Sequence, residues 1–371
     1  MIIGVVKETC PGEKRIALTP PSAGRLRKKG AQVLVESGLG QDLHITTEDF
    51  ESSGARVLSR LEVLSQSDVL LKVRKPEEAD IASLKNSAVH ISFLDPFHEK
   101  NLLKTMAARG IRTISLEMIP RVTIAQKMDA LSSQANLAGY IAVVIAAERL
   151  GRVLPMMMTP AGTISPARVL VIGAGVAGLQ AIATAKRLGA RVEAFDTRAV
   201  VKEQVQSLGA KFVEIDVGET GQTKDGYARS LTPEQIEKQR AGLTRICAQS
   251  DIVITTAQVF GKKAPLIITK EMISAMRSGS VIVDGAVESG GNVEGTEADR
   301  EITLNGVRLI GIANLPSRVA AHASEMFANN LVNFIEHFWD KDLPVLHLPP
   351  EDPIIKGCLL TDNGNIIKTD I

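Results

Sequence analysis

Cysteine is scarce in this chain. The three in 371 residues, Cys10, Cys247 and Cys358, offer neither the paired spacing of a metal site nor the even count of a disulfide framework, and a reducing cytosol fits them best. An excess of one charge is also lacking. Lysine and arginine total 43 and aspartate and glutamate 42, so a net charge of +1 leaves no field to attract nucleic acid or an anionic membrane surface. Long hydrophobic runs are missing too. The most apolar stretch, "YIAVVIAAERL", is broken by Glu148 and Arg149 before the roughly 18 residues that a membrane helix needs. The opening "MIIGVVKE" is equally short and lacks the basic start of a signal peptide. The expectation is a soluble chain with no direct membrane insertion and no nucleic-acid partner.

What is present is rhythm. "MIIGVV", "AQVLVE", "DVLLKV", "AVHISF" and "RTISLEMI" alternate with helical segments such as "PPSAGRLRKKG" and "EKNLLKTMAARG". A second series, "RVLVIG", "RVEAFD", "KFVEI", "DIVITT", "SVIVDGA" and "VRLIGI", alternates with "PEQIEKQRAGLTRICAQ" and "KEMISAMRSG". Such alternation predicts parallel sheets covered by helices. The length makes two domains the default at roughly 100 to 200 residues each. The fold class expected is therefore α/β, with two Rossmann-like, doubly wound parallel-sheet domains joined by long helices.

One of these helices is "LSSQANLAGYIAVVIAAERLG", which stops at Gly151. The other, "LPSRVAAHASEMFANNLVNFIEHFW", starts near Pro316 and Ser317 and places Ala323, Met326, Phe327, Leu331, Phe334, Ile335 and Phe338 at helical spacing. If it returns to the first lobe, residues 1–130 plus 318–371 form a discontinuous N-terminal domain and residues 140–317 form the second. "GETGQTKDGYARSL", from Gly218 to Leu231, has no apolar period and reads as a loop of lid length. Its Tyr227 is equally well a surface residue or a lid contact. "PMMMTPAGTISP", residues 155–166, is either an exposed hairpin used in subunit contact or a buried linker.

The sharpest motif is "VLVIGAGVAGLQAIATAKRLGARVEAFDTR". Gly173, Gly175 and Gly178 form G-x-G-x-x-G between an apolar strand and a helix, which suits a tight turn, close approach to a pyrophosphate and close helix–strand packing. The pyrophosphate would sit on the helix N-terminus, beside Val176 and Ala177. Asp196 ends the next strand, near the spacing of about 20 residues expected of the acid that accepts the ribose hydroxyls. A carboxylate there repels a 2′-phosphate, so NAD(H) is expected over NADP(H). Arg198, two positions on, argues in the other direction.

A dehydrogenase acting on an alcohol or amine needs a proton acceptor, most often histidine or lysine. His44 and His98 sit in polar loops, His337 lies near a helix end and His347 in a proline-rich tail. His322 reads more readily as structural than as catalytic. That leaves His90.

The chain resembles the alanine dehydrogenase and pyridine nucleotide transhydrogenase family over nearly its whole length. The resemblance rests on "KETCPGEKRIALTP", "LLKVRKP" at 70–76, "IPRVTIAQKMDALSSQANLAGY" at 119–140, the glycine-turn segment, and "ANLPSRVAAHAS" at 313–324. Alanine dehydrogenases of the family carry a catalytic histidine in the segment reading "AVHISFLDP" here, and Phe93 stands at its place. His90 is three residues earlier, an odd offset that points it to the opposite face of a strand. Arg15 and Lys72 match the family's substrate-carboxylate and lysine positions, as remnants of that site or as simple ions.

"RVTIAQKMDALSS" fits the transhydrogenase branch, where the resemblance places an arginine, a glutamine, an aspartate and a serine on Arg121, Gln126, Asp129 and Ser132. A nicotinamide carboxamide has one donor and one acceptor group, so a carboxylate and a hydroxyl can fix the ring's rotation. Asp129, Ser132 and Ser133 also suit a helix cap, and on the residues alone cap and site are level. The resemblance favours the site. Expected cofactor contacts are Gln126, Lys127, Met128, Asp129, Gly173, Gly175, Val176, Ala177, Gly178, Asp196, Thr197, Arg198, Gly226 and Tyr227, with no metal.

The resemblance implies NAD(H) bound here and NADP(H) on a partner domain, with hydride passing directly between them. It further implies a membrane-embedded proton-channel subunit, an NADP(H)-binding subunit, a homodimer of this chain, and a cytoplasmic site held at the inner membrane through those partners. An alanine dehydrogenase using His90 or His322, and an NAD-sensing module without hydride exchange, are the alternatives.

Overall fold

Apolar runs of four or five residues are too short for stable helices but long enough for strands buried on both faces, and such strands build parallel sheets. The computed structural model describes residues 1–216, 232–340, 343 and 345–368. The chain divides into two compact units, Met1–Gln134 with Ser317–Ile371, and Ala135–Pro316.

Unit 1 begins with β1 (Ile2–Val5), β2 (Gln32–Glu36), β3 (Arg56–Leu58), β4 (Val69–Leu71), β5 (Val89–Ser92) and β6 (Arg112–Ser115). Unit 2 contains β7 (Met157–Thr159), β8 (Gly162–Ile164), β9 (Arg168–Ile172), β10 (Arg191–Phe195), β11 (Lys211–Phe212), β12 (Ile252–Thr255), β13 (Val281–Asp284), β14 (Arg300–Leu304) and β15 (Val307–Gly311). Later come β16 (Leu359–Asp362) and β17 (Asn365–Ile366), which join the first sheet.

The first sheet runs β17-β16-β6-β5-β4-β1-β2-β3, with β1 to β6 parallel and β16 and β17 antiparallel. The second runs β11-β10-β9-β12-β13-β15-β14, parallel except for β14. Each sheet reverses its winding once, between β1 and β4 and between β9 and β12. In doubly wound sheets the crevice beyond the carboxyl ends of those two strands is where ligands bind. Each unit therefore has one such place.

The antiparallel edges follow from their turns. Asn305-Gly306 joins β14 to β15 and Asn363-Gly364 joins β16 to β17, with φ of 52° and 79°, and of 47° and 81°. Left-handed Asn-Gly pairs match the twist of a two-residue hairpin.

Helix Ala320–His337 buries Ala323, Phe327, Leu331, Phe334 and Ile335 against the first sheet's Ile3, Leu71, Ile91 and Ile114. Met326, expected on this stripe, is 41% exposed. It lies on the flank of the line that Ala323, Phe327 and Leu331 trace at four-residue spacing.

Helix Ala130–Arg149 ends at Gly151, whose φ of 67° stops the helix. Among the described residues it alone is long and apolar enough to cross a membrane by length and composition, more than its interrupted sequence run suggested. Its second half is a core helix: Ala142, Val143 and Ala146 are buried in unit 2, and Gly139 lies so close to Ala177 that a Cβ would stand 2.0 Å from that carbonyl oxygen. β7 and β8 pair as an exposed hairpin, and Met157, Met158 and Ile164 project from it to solvent.

Candidate functional site

In unit 2 the G-x-G-x-x-G segment lies at the winding reversal. Gly173 follows β9 with φ of 94°, a conformation that strains any residue with a Cβ. Gly175 is the N-cap of helix Val176–Arg187, and nothing lies within 4 Å of where its Cβ would be. Gly178 presses on the turn, where a Cβ would stand 1.8 Å from the Gly173 carbonyl oxygen. Backbone N–H groups at this helix start therefore face open space, with Val176 exposed and Ala177 half-buried. This suits a pyrophosphate.

Asp196 follows β10, in keeping with its place in the sequence motif. Its Oδ2 accepts from Ala174 N at 2.7 Å and its Oδ1 from Arg198 N at 2.8 Å. Arg198 also donates Nε to Oδ1 at 2.9 Å and Nη2 to Oδ2 at 2.8 Å. Burial opposes ionisation of Asp196, but these bonds and the Arg198 charge overcome it and hold the carboxyl below its ordinary value. Thr197 is half-buried beside it. Gly226 and Tyr227 lie outside the described residues.

Residues outside the glycine motif support the turn. Thr256 Oγ1 donates to the Gly173 carbonyl at 3.1 Å. Asn292, fully buried, binds both the Ala257 N–H and carbonyl and the Pro265 carbonyl, so it fixes the loop after β12. Asp284 in turn accepts from Asn292 N, Val293 N and the Thr296 hydroxyl. The sequence signal for them is position: Asp284 and Thr256 stand at the ends of apolar strands.

In unit 1, Arg121, Gln126 and Lys127 are exposed, and Asp129 and Ser132 are half-buried. Asp129 caps helix Ala130–Arg149, accepting Ser132 N at 2.9 Å and Ser132 Oγ at 2.6 Å. The cap is thus formed by the same pair expected at the site. Met128 is buried in the core, which leaves only its backbone for a ligand. Asn330 and Asn333 both donate to the Lys127 carbonyl at 3.0 Å and so hold the segment that carries Gln126.

The crevice of unit 1 is filled by ions. Lys72 is fully buried, 3.2 Å from Asp80 and 4.0 Å from Glu8. Burial, only partly offset by the Lys72 charge and the Val73 and Arg74 N–H groups, pushes the Glu8 carboxyl up to about 7. Arg15 is fork-bonded to Glu13 and donates to Gln134 Oε1 at 2.8 Å. Burial works against Glu13, yet Arg15 and Arg74 hold it down at about 2. Both cations at the family's substrate positions are thus engaged by carboxylates.

His90 and Phe93 take opposite faces of β5. Phe93 packs on Phe327, centroids 5.3 Å apart, while His90 Nε2 bonds Ser92 Oγ at 2.9 Å. Burial, followed by the Lys72 charge, pushes the His90 imidazole down to about 3, so it stays neutral and encased. His322 is exposed on its helix. Among the described residues no group of three or more potential ligands is arranged to hold a metal.

Residues 4–138 match the N-terminal domain, and residues 142–369 the C-terminal domain, of alanine dehydrogenase/PNT. The chain belongs to this family. Membership implies an oxidoreductase role and pyridine nucleotide binding. Within the family, this chain is 44% identical to the first portion of NAD(P) transhydrogenase subunit alpha of Rhodospirillum rubrum, a separate chain there, covering 99% of this chain and 98% of that one. A transhydrogenase crystal structure from Sinorhizobium meliloti superposes with a TM-score of 0.89 at 44% identity, covering 99% of this chain and all of the other. Alanine dehydrogenase of Mycolicibacterium smegmatis is 27% identical, covering 99% of this chain and 95% of that one. The transhydrogenase branch is the nearer of the two.

Proposed function

We propose that this chain is the NAD(H)-binding component of a proton-translocating NAD(P) transhydrogenase, passing hydride directly between NADH held here and NADP⁺ held on a partner domain. The observation that carries this reading is Phe93: at the position of the alanine dehydrogenase histidine, an apolar ring packs on Phe327. Hydride transfer between two nicotinamides needs no proton acceptor at the reacting carbon, so positioning supplies the rate, on the order of several kcal/mol. Arg15 and Lys72, paired with carboxylates, add no acceptor to this scheme.

The glycine turn, with Val176 and Ala177, would hold the pyrophosphate, and Asp196 and Thr197 the adenosine ribose. Arg121, Gln126, Asp129 and Ser132 would fix the nicotinamide, supported by the backbone of Lys127 and Met128. Gly226 and Tyr227 would close over the nucleotide. The reading includes a homodimer using the exposed β7–β8 hairpin. It also includes a separate NADP(H)-binding subunit and a membrane-embedded proton-channel subunit that hold this chain at the cytoplasmic face of the inner membrane.

Mixing the purified chain with an NADP(H)-binding domain should give rapid hydride exchange between NADH and an NADP⁺ analogue. Ammonia-dependent oxidation of NADH by pyruvate, catalysed by the chain alone, would replace this reading with an alanine dehydrogenase. Tight NADH binding without exchange would leave an NAD-sensing module.

A further inference from the structure

The Asp196–Arg198 pair bears on nucleotide selectivity, an inference that rests on the reading of unit 2 as the NAD(H) site. A carboxylate has about four sites for hydrogen bonds. Here four donors occupy them: Arg198 N and Nε on Oδ1, and Ala174 N and Arg198 Nη2 on Oδ2, all within 2.9 Å. The two side chains are 7% and 20% exposed, so the ion pair is largely withdrawn from solvent. The same carboxylate follows β10 and ties down the turn at Ala174. A guanidinium fork fits phosphate as well as carboxylate, and the anion it holds is decided by which one is presented first and fixed in place. Asp196, two residues away and anchored by two backbone N–H groups, is that anion.

We propose that Arg198 is a masked ligand for a 2′-phosphate. Asp196 captures its guanidinium at the ribose end of the site, so one pair both supplies the acid for a 2′,3′-diol and removes the cation that a 2′-phosphorylated nucleotide would require. Selectivity for NAD(H) then depends on the pair and not on the acid alone. The residue that made the sequence ambiguous, a cation beside the ribose acid, is the one the acid neutralises.

The test is binding of NADH and NADPH to the full chain, followed by nucleotide fluorescence, for wild type, Asp196→Ala, Arg198→Ala and the double variant. Wild type should prefer NADH. Asp196→Ala should weaken NADH and tighten NADPH by about tenfold, as expected of a released charge-assisted contact. The double variant should lose that gain, and Arg198→Ala alone should keep the NADH preference. Because Asp196 also holds the Ala174 N–H, Asp196→Asn serves as a second variant that keeps an acceptor there while removing the charge. It should show the same gain. If both single Asp196 variants bind NADPH no better than wild type, or if the double variant retains the gain, the proposal is overturned while the NAD(H) reading stands. A wild-type chain that binds neither nucleotide overturns the NAD(H) reading, and the proposal with it.

Discussion

The two sheets share one winding and part company at the crevice where it reverses. In unit 2 the strands on either side lead into Gly173 and Thr256, side chains are absent where a ligand's phosphates would approach, and Gly175 faces open space. In unit 1 the corresponding strands lead toward Glu8 and Lys72, and the space holds Lys72 with Asp80 and Arg15 with Glu13. A doubly wound sheet provides a place for a ligand, but the side chains decide whether it becomes a site or a structural knot. This difference also separates the two branches of the family in this chain. The filled crevice contains the positions at which an alanine dehydrogenase would work.

The largest effect expected from breaking this comparison is in unit 2. In Gly178→Ala the new Cβ meets backbone, the Gly173 carbonyl, at 1.8 Å, and no flexible side chain can yield. Helix Val176–Arg187 must move off the turn, and NADH affinity should fall at least about a hundredfold, roughly 3 kcal/mol, because the backbone donors lose their placement. Fluorescence titration with NADH measures it. A change of only a few-fold would mean that the turn is not the phosphate cradle, and the contrast between the units would fail.

Lys72→Met probes the other crevice. The ammonium is fully buried between two carboxylates, so its removal leaves uncompensated buried charge and should lower stability by about 3 kcal/mol. Thermal unfolding reads the loss. At temperatures where the variant is folded, NADH affinity and the hydride-exchange rate should match wild type. A variant of unaltered stability that loses exchange would make the crevice of unit 1 a site after all.

The apolar parallel strands are legible because burial on both faces writes them as unbroken runs: β4 reads "VLL" and β13 "VIVD", both buried throughout. β3, β14, β16 and β17 are not written that way. β3 is only partly covered and β14 alternates between exposed and half-buried residues, as edge strands do, and in two cases an Asn-Gly turn is the only local signal. The glycine turn is readable because each glycine answers a backbone constraint. The supports around it are not, since Asn292 and Thr256 act by contacts with residues distant in sequence. The same holds for Asn330 and Asn333, which lie on a helix whose apolar stripe gives no hint that they clamp the Lys127 carbonyl. Nor can spacing show that Arg15 and Lys72 are neutralised, because that depends on Glu13 and Asp80 folding back onto them.

The smallest effect expected is one of pH, and it should appear in stability rather than in nucleotide affinity. Burial raises the Glu8 carboxyl from 4.5 to about 7, so the folded chain holds this proton more tightly than the unfolded chain does. Its stabilising contribution is complete below about 4.5 and is lost as pH climbs to about 7. His90 acts in the opposite sense. Its folded value of about 3 lies under the ordinary 6.5, so its contribution grows as pH rises between these values. Over much of the range the two slopes oppose each other, and wild type alone should show a muted profile. Glu8→Gln separates them. The stability difference between wild type and this variant should shrink steadily from pH 4.5 to about 7 and stay flat above, as measured by chemical denaturation at a series of pH values. Glu13, held down at about 2, acts only in more acidic solution and leaves this window untouched. A difference that is flat across the window would mean that Glu8 is ionised in the fold and that the Lys72 cluster is a fully charged triad. NADH affinity that followed the same curve would tie the filled crevice to the nucleotide and remove the distinction between the two units.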